Sequence, residues 1–279
     1  MNGTAQKGTF QATERVVFAA RLDYVIGGFV RFQEIISHFA QIPPSSHPGG
    51  IFTVAGIIIT IDGTAGSGKS AAALELARRL KIPHLDTGAM YRAVALDALQ
   101  NSILDDPDRI GHRVRLLSIL FDWSKEPAGV LLNGVDVSEA IRRPEVTAVT
   151  YVAADNPWVR EELVKQQRLI GEKWQSLVTE GRDQGTIVFP GARYKFYLNA
   201  HPEERARRRI AQLAAKGISA ELSDVLQQIM ERDQRDQSRE IGRLAPAKDA
   251  IDVDTTDLTL EGTVEAMLAH IKPEARPPA

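Results

Sequence analysis

The sequence predicts an α/β protein in which a parallel sheet is wrapped by helices, and two observations lead there. Strand-like apolar runs at 57–61, 176–179, 195–198 and 250–253 alternate with helical stretches, the order that parallel strands joined by crossover helices require. The first run also leads straight into a glycine-rich loop and a helix, within IIITIDGTAGSGKSAAALELARRL. At 279 residues and 43% hydrophobic content the chain can bury a sizeable core, planned as one larger domain plus an insert.

Residues 1–54 stand apart from this plan. DYVIGGFVRFQEIISHFAQI has a helix-like apolar periodicity, but its unbroken apolar run, Tyr24 to Val30, is short and is followed by Arg31, Gln33, Glu34 and His38. That makes a poor signal peptide, and a membrane span needs roughly 20 apolar residues. The Pro/Ser/Gly-rich QIPPSSHPGG then acts as a linker. The segment is expected to be a dispensable extension; a translation start assigned too early, with the true one near Val54, explains it equally well.

The loop after the first strand fits G-x-x-x-x-G-K-[ST] over Gly63, Thr64, Ala65, Gly66, Ser67, Gly68, Lys69 and Ser70, and Ala71 follows in the helix expected over 71–80. Glycines let the backbone wrap a phosphate with its N–H groups inward, and the helix N-terminus adds partial positive charge. Lys69 reaches the outer phosphates and Ser70 can ligate Mg²⁺. An ordinary strand-to-helix turn would not need Lys and Ser at those offsets. The loop specifies a nucleoside triphosphate without separating a kinase from a GTPase, a motor or a transporter. A guanine-reading Asn-Lys-x-Asp run is absent from the sequence, which weighs against a GTPase switch.

Next comes KIPHLDTGAMYRAVALDALQ, a short extended piece ending at Asp86-Thr87-Gly88 and a helix from Ala89 to about Gln100, with Thr87 as the expected N-cap. Tyr91 and Arg92 fall in its first turn, near the strand ends that present the phosphate loop, and an arginine there suits bidentate contact to a second phosphate. A surface arginine and a core tyrosine are the alternative. Further on, GVLLNGVDVSEAI carries an Asn133-Gly134 hairpin signal, and Pro144 and Pro157 open helical runs.

From Glu203 to Arg243 the chain holds eight Arg and one Lys against eight Asp or Glu, rich in charge yet balanced. A nucleic-acid patch would be more one-sided. In MERDQRDQSREIGR, Arg232, Arg235, Asp236 and Arg239 recur at helical spacing and are expected to share one face, either converging on a ligand or forming solvated i,i+4 ion pairs. Over the whole chain the net charge of −2 gives no overall reason to bind nucleic acid or an anionic membrane. The six His show no ligand spacing, and the absence of cysteine rules out a disulfide framework or thiolate metal site, which suits a reducing cytoplasm.

Five ordered stretches, ITIDGTAGSGKS, LDTGAMYRAVA, EGRDQGTIVFP, HPEERARRR and ERDQRDQSR, give the chain a resemblance to the bacterial cytidylate kinases from Ile57 to about Ile271. The resemblance implies a nucleoside monophosphate kinase fold over 55–272, with core 55–112 and 174–272, a monophosphate-binding insert about 113–173, a mobile lid about 203–243, and a tail at 273–279. It implies transfer of the γ-phosphoryl group of ATP to CMP or dCMP with Mg²⁺, in pyrimidine nucleotide metabolism, by a cytoplasmic monomer. Carried over by position, Lys69, Arg92, Arg182 and Arg232 are the catalytic cations. Tyr91, Arg92 and Arg182 surround the acceptor phosphate, Thr87 is a further substrate-binding residue, and Thr150, Arg160, Asp183 and Arg239 face the pyrimidine. Arg232 and Asp236 lie near the sugar, and Arg205, Arg207, Arg208 and Arg209 begin the lid and close over the triphosphate. Thr150 replaces a serine, keeping its hydroxyl, and Ser70 stands where some members carry glycine. A kinase for another small acceptor such as UMP, and a non-catalytic nucleotide-binding regulator, are the competing readings.

Overall fold

A computed structural model describes residues 56–215 and 217–272; the extension expected over 1–54 and the tail at 273–279 lie outside the described residues. The chain runs β1 (Ile58–Gly63), α1 (Lys69–Leu80), β2 (His84–Asp86), α2 (Thr87–Gln100) and α3 (Pro107–Val114). A small region follows, with β3 (Ile119–Asp122), β4 (Gly129–Leu132), β5 (Val135–Asp136), a 3-10 turn at Ala140–Arg142, and helices α4 (Pro144–Val149), α5 (Tyr151–Ala154) and α6 (Pro157–Trp174). The remainder is β6 (Leu177–Gly181), a π-helical turn at Gln184–Val188, β7 (Tyr194–Asn199), α7 (Pro202–Ala214), α8 (Leu222–Ser238), β8 (Ile251–Asp254) and α9 (Leu260–His270).

The main sheet has the order β2-β6-β1-β7-β8 with every neighbouring pair parallel. Its strands read as near-continuous apolar runs because both faces are covered. One face packs Ile59, Ile61, Phe196 and Leu198 against Leu76 of α1 and Met267 of α9. A second core gathers Met90 and Val94 of α2 with Ile110, Phe121, Val130, Ile141 and Leu163 from the region that follows. The pair α7 and α8 has only a small cluster of its own, Ala206, Val225 and Ile229.

The four expected strands are present with their ends shifted by one or two residues. β1 runs on to Gly63, which pairs with Leu198 of β7. There the backbone has φ 149° and a Cβ would lie 1.9 Å from Leu198 O, so strand can become loop only with glycine. The Asn133-Gly134 hairpin joins β4 to β5, with φ of 52° and 81° at its two central residues, and Pro144 and Pro157 each open a helix.

Two expectations are corrected. The N-cap of α2 is Asp86, whose carboxylate accepts the Ala89 N–H at 2.9 Å; Thr87 lies inside the helix, and its hydroxyl donates to Glu180 O of β6 at 2.6 Å. Arg239 does not share the face of α8: the helix ends at Ser238 and Arg239 is its C-cap, with extended ψ of 134°. Arg235 turns elsewhere too, its guanidinium lying 5.2 Å from the Tyr151 ring.

Candidate active site

The site is assembled at the C-terminal ends of the parallel strands, where open α/β sheets place their ligand crevice. β1 delivers the glycine-rich loop, β2 the start of α2, and β6 the Arg182-Asp183 turn. Helix α1 starts at Lys69, inside the motif, because Gly68 takes a left-handed conformation with φ 90° and lets the loop turn directly into the helix. The first-turn N–H groups of α1 have no partner within the helix, which is the feature that receives phosphate oxygens. Lys69 is 5% exposed, and its ammonium donates to Thr64 O at 2.6 Å. Burial first, and then the Arg182 charge, hold that ammonium well below the ordinary lysine pKa, with Glu180 acting in the opposite direction.

Facing the loop is a group of guanidiniums. Arg232 is solvent-accessible as a residue, yet its guanidinium is pushed down to about 10, by lost hydration where it enters the group and then by Arg182, with Arg92 adding to the repulsion. Lys69 also feels the Arg232 charge, so Arg182 and Arg232 lie near Lys69, and Arg92 and Arg182 lie near Arg232. Carboxylates hold them in place. Asp86 pairs with Arg92 at 2.9 Å and with Arg142 of the 3-10 turn at 3.1 Å. Asp236 accepts from Arg182 Nε at 2.7 Å and from Arg239 Nη2 at 2.7 Å. Burial works against ionised Asp236, yet Arg182 foremost among its cationic neighbours holds its carboxyl below the usual range.

Beside this group lies the pair Arg160 and Asp183, joined by an ion pair and 4% and 3% exposed. Arg160 also donates to Ala154 O at 3.0 Å and stands 5.5 Å from the Tyr91 ring centroid. Burial pushes the Tyr91 phenol up to about 12. Arg239 binds Asp155 at 2.6 Å as well as Asp236, so Arg160, Asp183, Tyr91 and Arg239 form one neighbourhood. Two buried guanidine donors lack a protein partner, Arg92 Nε and Arg160 Nε. Thr150 sits at the junction of α4 and α5, its hydroxyl donating to Val146 O at 2.8 Å, and none of its bonds reaches this neighbourhood.

The arginines expected to open the lid do not act as a group. Arg205 is buried in an ion pair with Asp233. Arg207 turns outward to Glu203 and Glu204, Arg208 donates to Glu204 and to the carbonyls of Thr255 and Thr256, and Arg209 is exposed. Sequence reasoning named Asp183 and Asp236 but missed Asp62 and Asp233 among the acids that do the positioning. The Asp62 carboxylate accepts the N–H groups of Gln184 at 2.9 Å and Gly185 at 2.8 Å, clamping the turn after Asp183 onto the residue before Gly63. Burial pushes Asp62 up to about 6. The available signal was a carboxylate at the C-terminal end of an apolar strand, where only a strong local demand for an acceptor keeps it.

A phosphate-cradling loop opposed by a group of arginines, on a parallel sheet with helices over both faces, defines a P-loop phosphotransferase. A model of the cytidylate kinase family matches residues 59–273, and the chain belongs to that family. It is 44% identical over 218 residues to the cytidylate kinase of Geobacter sp. (strain M21), covering 78% of this chain and 93% of that one. It is 45% identical over 215 residues to the cytidylate kinase of Caldanaerobacter subterraneus subsp. tengcongensis, covering 77% and 94%. Among solved structures, a shikimate kinase from Bacteroides thetaiotaomicron is similar with a TM-score of 0.42 and 14% identity, over 76% of this chain and 97% of that one. No helix among the described residues is long and apolar enough to cross a membrane.

Proposed function

We infer that the protein transfers the γ-phosphoryl group of ATP to the 5′-phosphate of CMP or dCMP, giving ADP and CDP or dCDP. The observation that carries this reading is the cluster of cations beside the phosphate loop: Arg182, held by Asp236, and Arg232 lie near Lys69, with Arg92, held by Asp86, near Arg232. Two anion sites set face to face suit transfer between phosphates, whereas a nucleotide binder has use for one.

The loop from Gly63 to Ser70, with Ala71, receives the triphosphate, and Lys69 neutralises its outer oxygens. Arg92, with an unpaired Nε, and Arg182 and Arg232 orient the acceptor phosphate. An acceptor oxygen attacks the γ-phosphorus while the bond to ADP breaks in line, through a loose, charge-spread transition state. The acceptor is already ionised at neutral pH, so no general base and no covalent intermediate are needed. Catalysis is positioning plus charge neutralisation.

Mg²⁺ would be held by Ser70 and would supply positive charge that neutralises the transferring phosphates. The residues fit such an ion arriving with the nucleotide: Ser70 is exposed at the start of α1, and no group of three or more His, Cys, Asp or Glu among the described residues could hold a metal by itself. On the acceptor side, the unpaired Arg160 Nε and the Asp183 carboxylate offer a donor and an acceptor to a pyrimidine edge carrying an amine and a carbonyl, and Asp236 and Arg239 complete the wall. The region 113–173 forms the acceptor-side insert and 203–243 the lid, which excludes water on closing.

A coupled ADP-release assay with CMP, dCMP, UMP and AMP tests the reading. CMP- or dCMP-dependent release above the other acceptors is the expected result. Preference for UMP would redirect the assignment to another acceptor, and nucleotide binding without turnover would make the protein a regulator.

A further inference from the structure

Arg205 of α7 and Asp233 of α8 are buried charges, 4% and 7% exposed, and they pair across the two helices. They also touch the phosphate loop. Asp233 Oδ1 accepts the Ala65 N–H at 3.0 Å, while Arg205 Nη1 donates to Ala65 O at 3.0 Å. Both polar groups of one loop residue are thereby held from outside the loop, as a neighbouring strand would hold them. Arg205 Nε is spent on Ala200 O at 2.8 Å, where β7 leads into α7. Thus Arg205 cannot be read as a lid cation reaching for the triphosphate: its Nε and Nη1 are committed to Ala200, Ala65 and Asp233.

We propose that the Arg205–Asp233 pair is a positioning device that couples the lid helices to the phosphate loop, so that the loop keeps its receiving shape only while α7 and α8 are docked on it. The inference rests on the phosphotransfer reading above and deepens it. Two further observations point the same way. The apolar cluster of α7 and α8 is small and separate from the two main cores, so polar contacts must fix where the pair sits. Asp233 also follows Arg232 directly and shares a helix face with Asp236, which binds Arg182. Asp236 keeps its own tie to Arg182, so the acceptor side has an anchor that does not depend on Ala65, and the Arg205–Asp233 contact acts on the donor cradle.

The test compares the intact protein with the double variant Arg205→Met/Asp233→Leu, since replacing a buried ion pair with apolar groups of similar size is often neutral for stability whereas removing one partner is costly. Three quantities are read: kcat and KM for ATP in the CMP-dependent assay, and the equilibrium affinity for CMP without ATP. The expected result is a fivefold or greater loss in kcat/KM for ATP while CMP affinity stays within threefold of the wild type. A purely structural pair would lower the thermal midpoint and leave that split absent. If the double variant does not fold, the same readouts on Arg205→Lys decide, because lysine keeps the charge against Asp233 but cannot also hold Ala65 O and Ala200 O. A folded variant with kcat and KM for ATP within twofold of the wild type overturns the proposal. A wild type without CMP-dependent turnover would instead sink the phosphotransfer reading.

Discussion

Asp183→Asn isolates the charge at the acceptor side of the site while keeping the shape of the side chain. Arg160 and Asp183 are each almost wholly withdrawn from water, and the carboxylate is the only anion bonded to the Arg160 guanidinium among the described residues. Removing one partner of a buried pair leaves the other charge uncompensated and costs roughly 3–5 kcal/mol. Arg160 would retain the Ala154 carbonyl at 3.0 Å and the Tyr91 ring at 5.5 Å, and Asp62 would be relieved of the neighbouring Asp183 charge. Both place the loss near the lower end of the range, at about 3 kcal/mol. Urea unfolding followed by circular dichroism measures it; with a slope of about 1–3 kcal/mol per molar urea, the midpoint should fall by at least about 1 M. The same variant should lose its preference for CMP over UMP, because the asparagine amide adds an N–H donor that suits a carbonyl edge where the carboxylate offers acceptors only. A loss below about 1 kcal/mol together with an unchanged CMP to UMP ratio would refute the reasoning, since the pair would then neither hold the fold nor read the base.

Other expectations follow from single contacts. Lys69→Ala should lower kcat on the order of 10²-fold or more, as removal of a charge-stabilising donor does, while thermal stability holds or rises because the lysine charge is disfavoured by burial; unchanged CMP phosphorylation would mean that the phosphate loop is misassigned. Gly242→Ala should raise KM for CMP with little change in KM for ATP: with φ 70° and a Cβ that would fall 1.7 Å from Arg160 Nη2, the variant must displace the guanidinium. A crystal structure of that variant with Arg160 unmoved would contradict this. For Asp62, the folded pKa of about 6 lies above the ordinary value of 3.8, so the native state holds a proton that the unfolded chain has released. This group therefore costs stability as pH rises through that window, on the order of 3 kcal/mol in total, and Asp62→Asn removes the dependence. The difference in unfolding free energy between variant and wild type, measured from pH 4 to 7, should move in favour of the variant; a flat difference rules the assignment out.

The parts of the fold carried by local pattern were legible in the sequence. Four strands, the phosphate loop, the Asn133-Gly134 turn and the proline-led helices all announce themselves through residues acting on their own backbone. What stayed hidden depends on partners distant in the chain. Thr87 looked like a cap because the bond that occupies its hydroxyl comes from Glu180 of another strand. Arg205 looked like its exposed neighbours Arg207 and Arg209, and only the approach of Ala65 and Asp233 distinguishes it. Arg239 fitted the helical spacing of α8, but bonds to Asp155 and to the Gly242 carbonyl take it out of the helix. Spacing states which residues can share a face, whereas burial decides which of them do.

Three acids of the site, unlike Asp86 and Asp236, which bind Arg92 and Arg182 directly, follow a pattern that connects these cases. Asp62 precedes Gly63, Asp183 follows Arg182, and Asp233 follows Arg232, so each carboxylate is one residue from a group assigned to a phosphate. Each reaches across to a different segment: Asp62 to the amides of Gln184 and Gly185, Asp183 to Arg160, Asp233 to Ala65 and Arg205. Adjacent side chains on a strand end or helix point in different directions, so one can face the phosphates while its neighbour is tied behind. Arg182 and Arg232 oppose the Lys69 charge, which burial also disfavours, and Arg182 opposes that of Arg232, so without such ties the group would spread toward solvent. Fixing the backbone one residue away avoids placing a carboxylate where the substrate's own negative charge must go. The repulsion that remains among Lys69, Arg182 and Arg232 is then relieved by the incoming phosphates, so part of the binding energy is set in the protein before either nucleotide arrives.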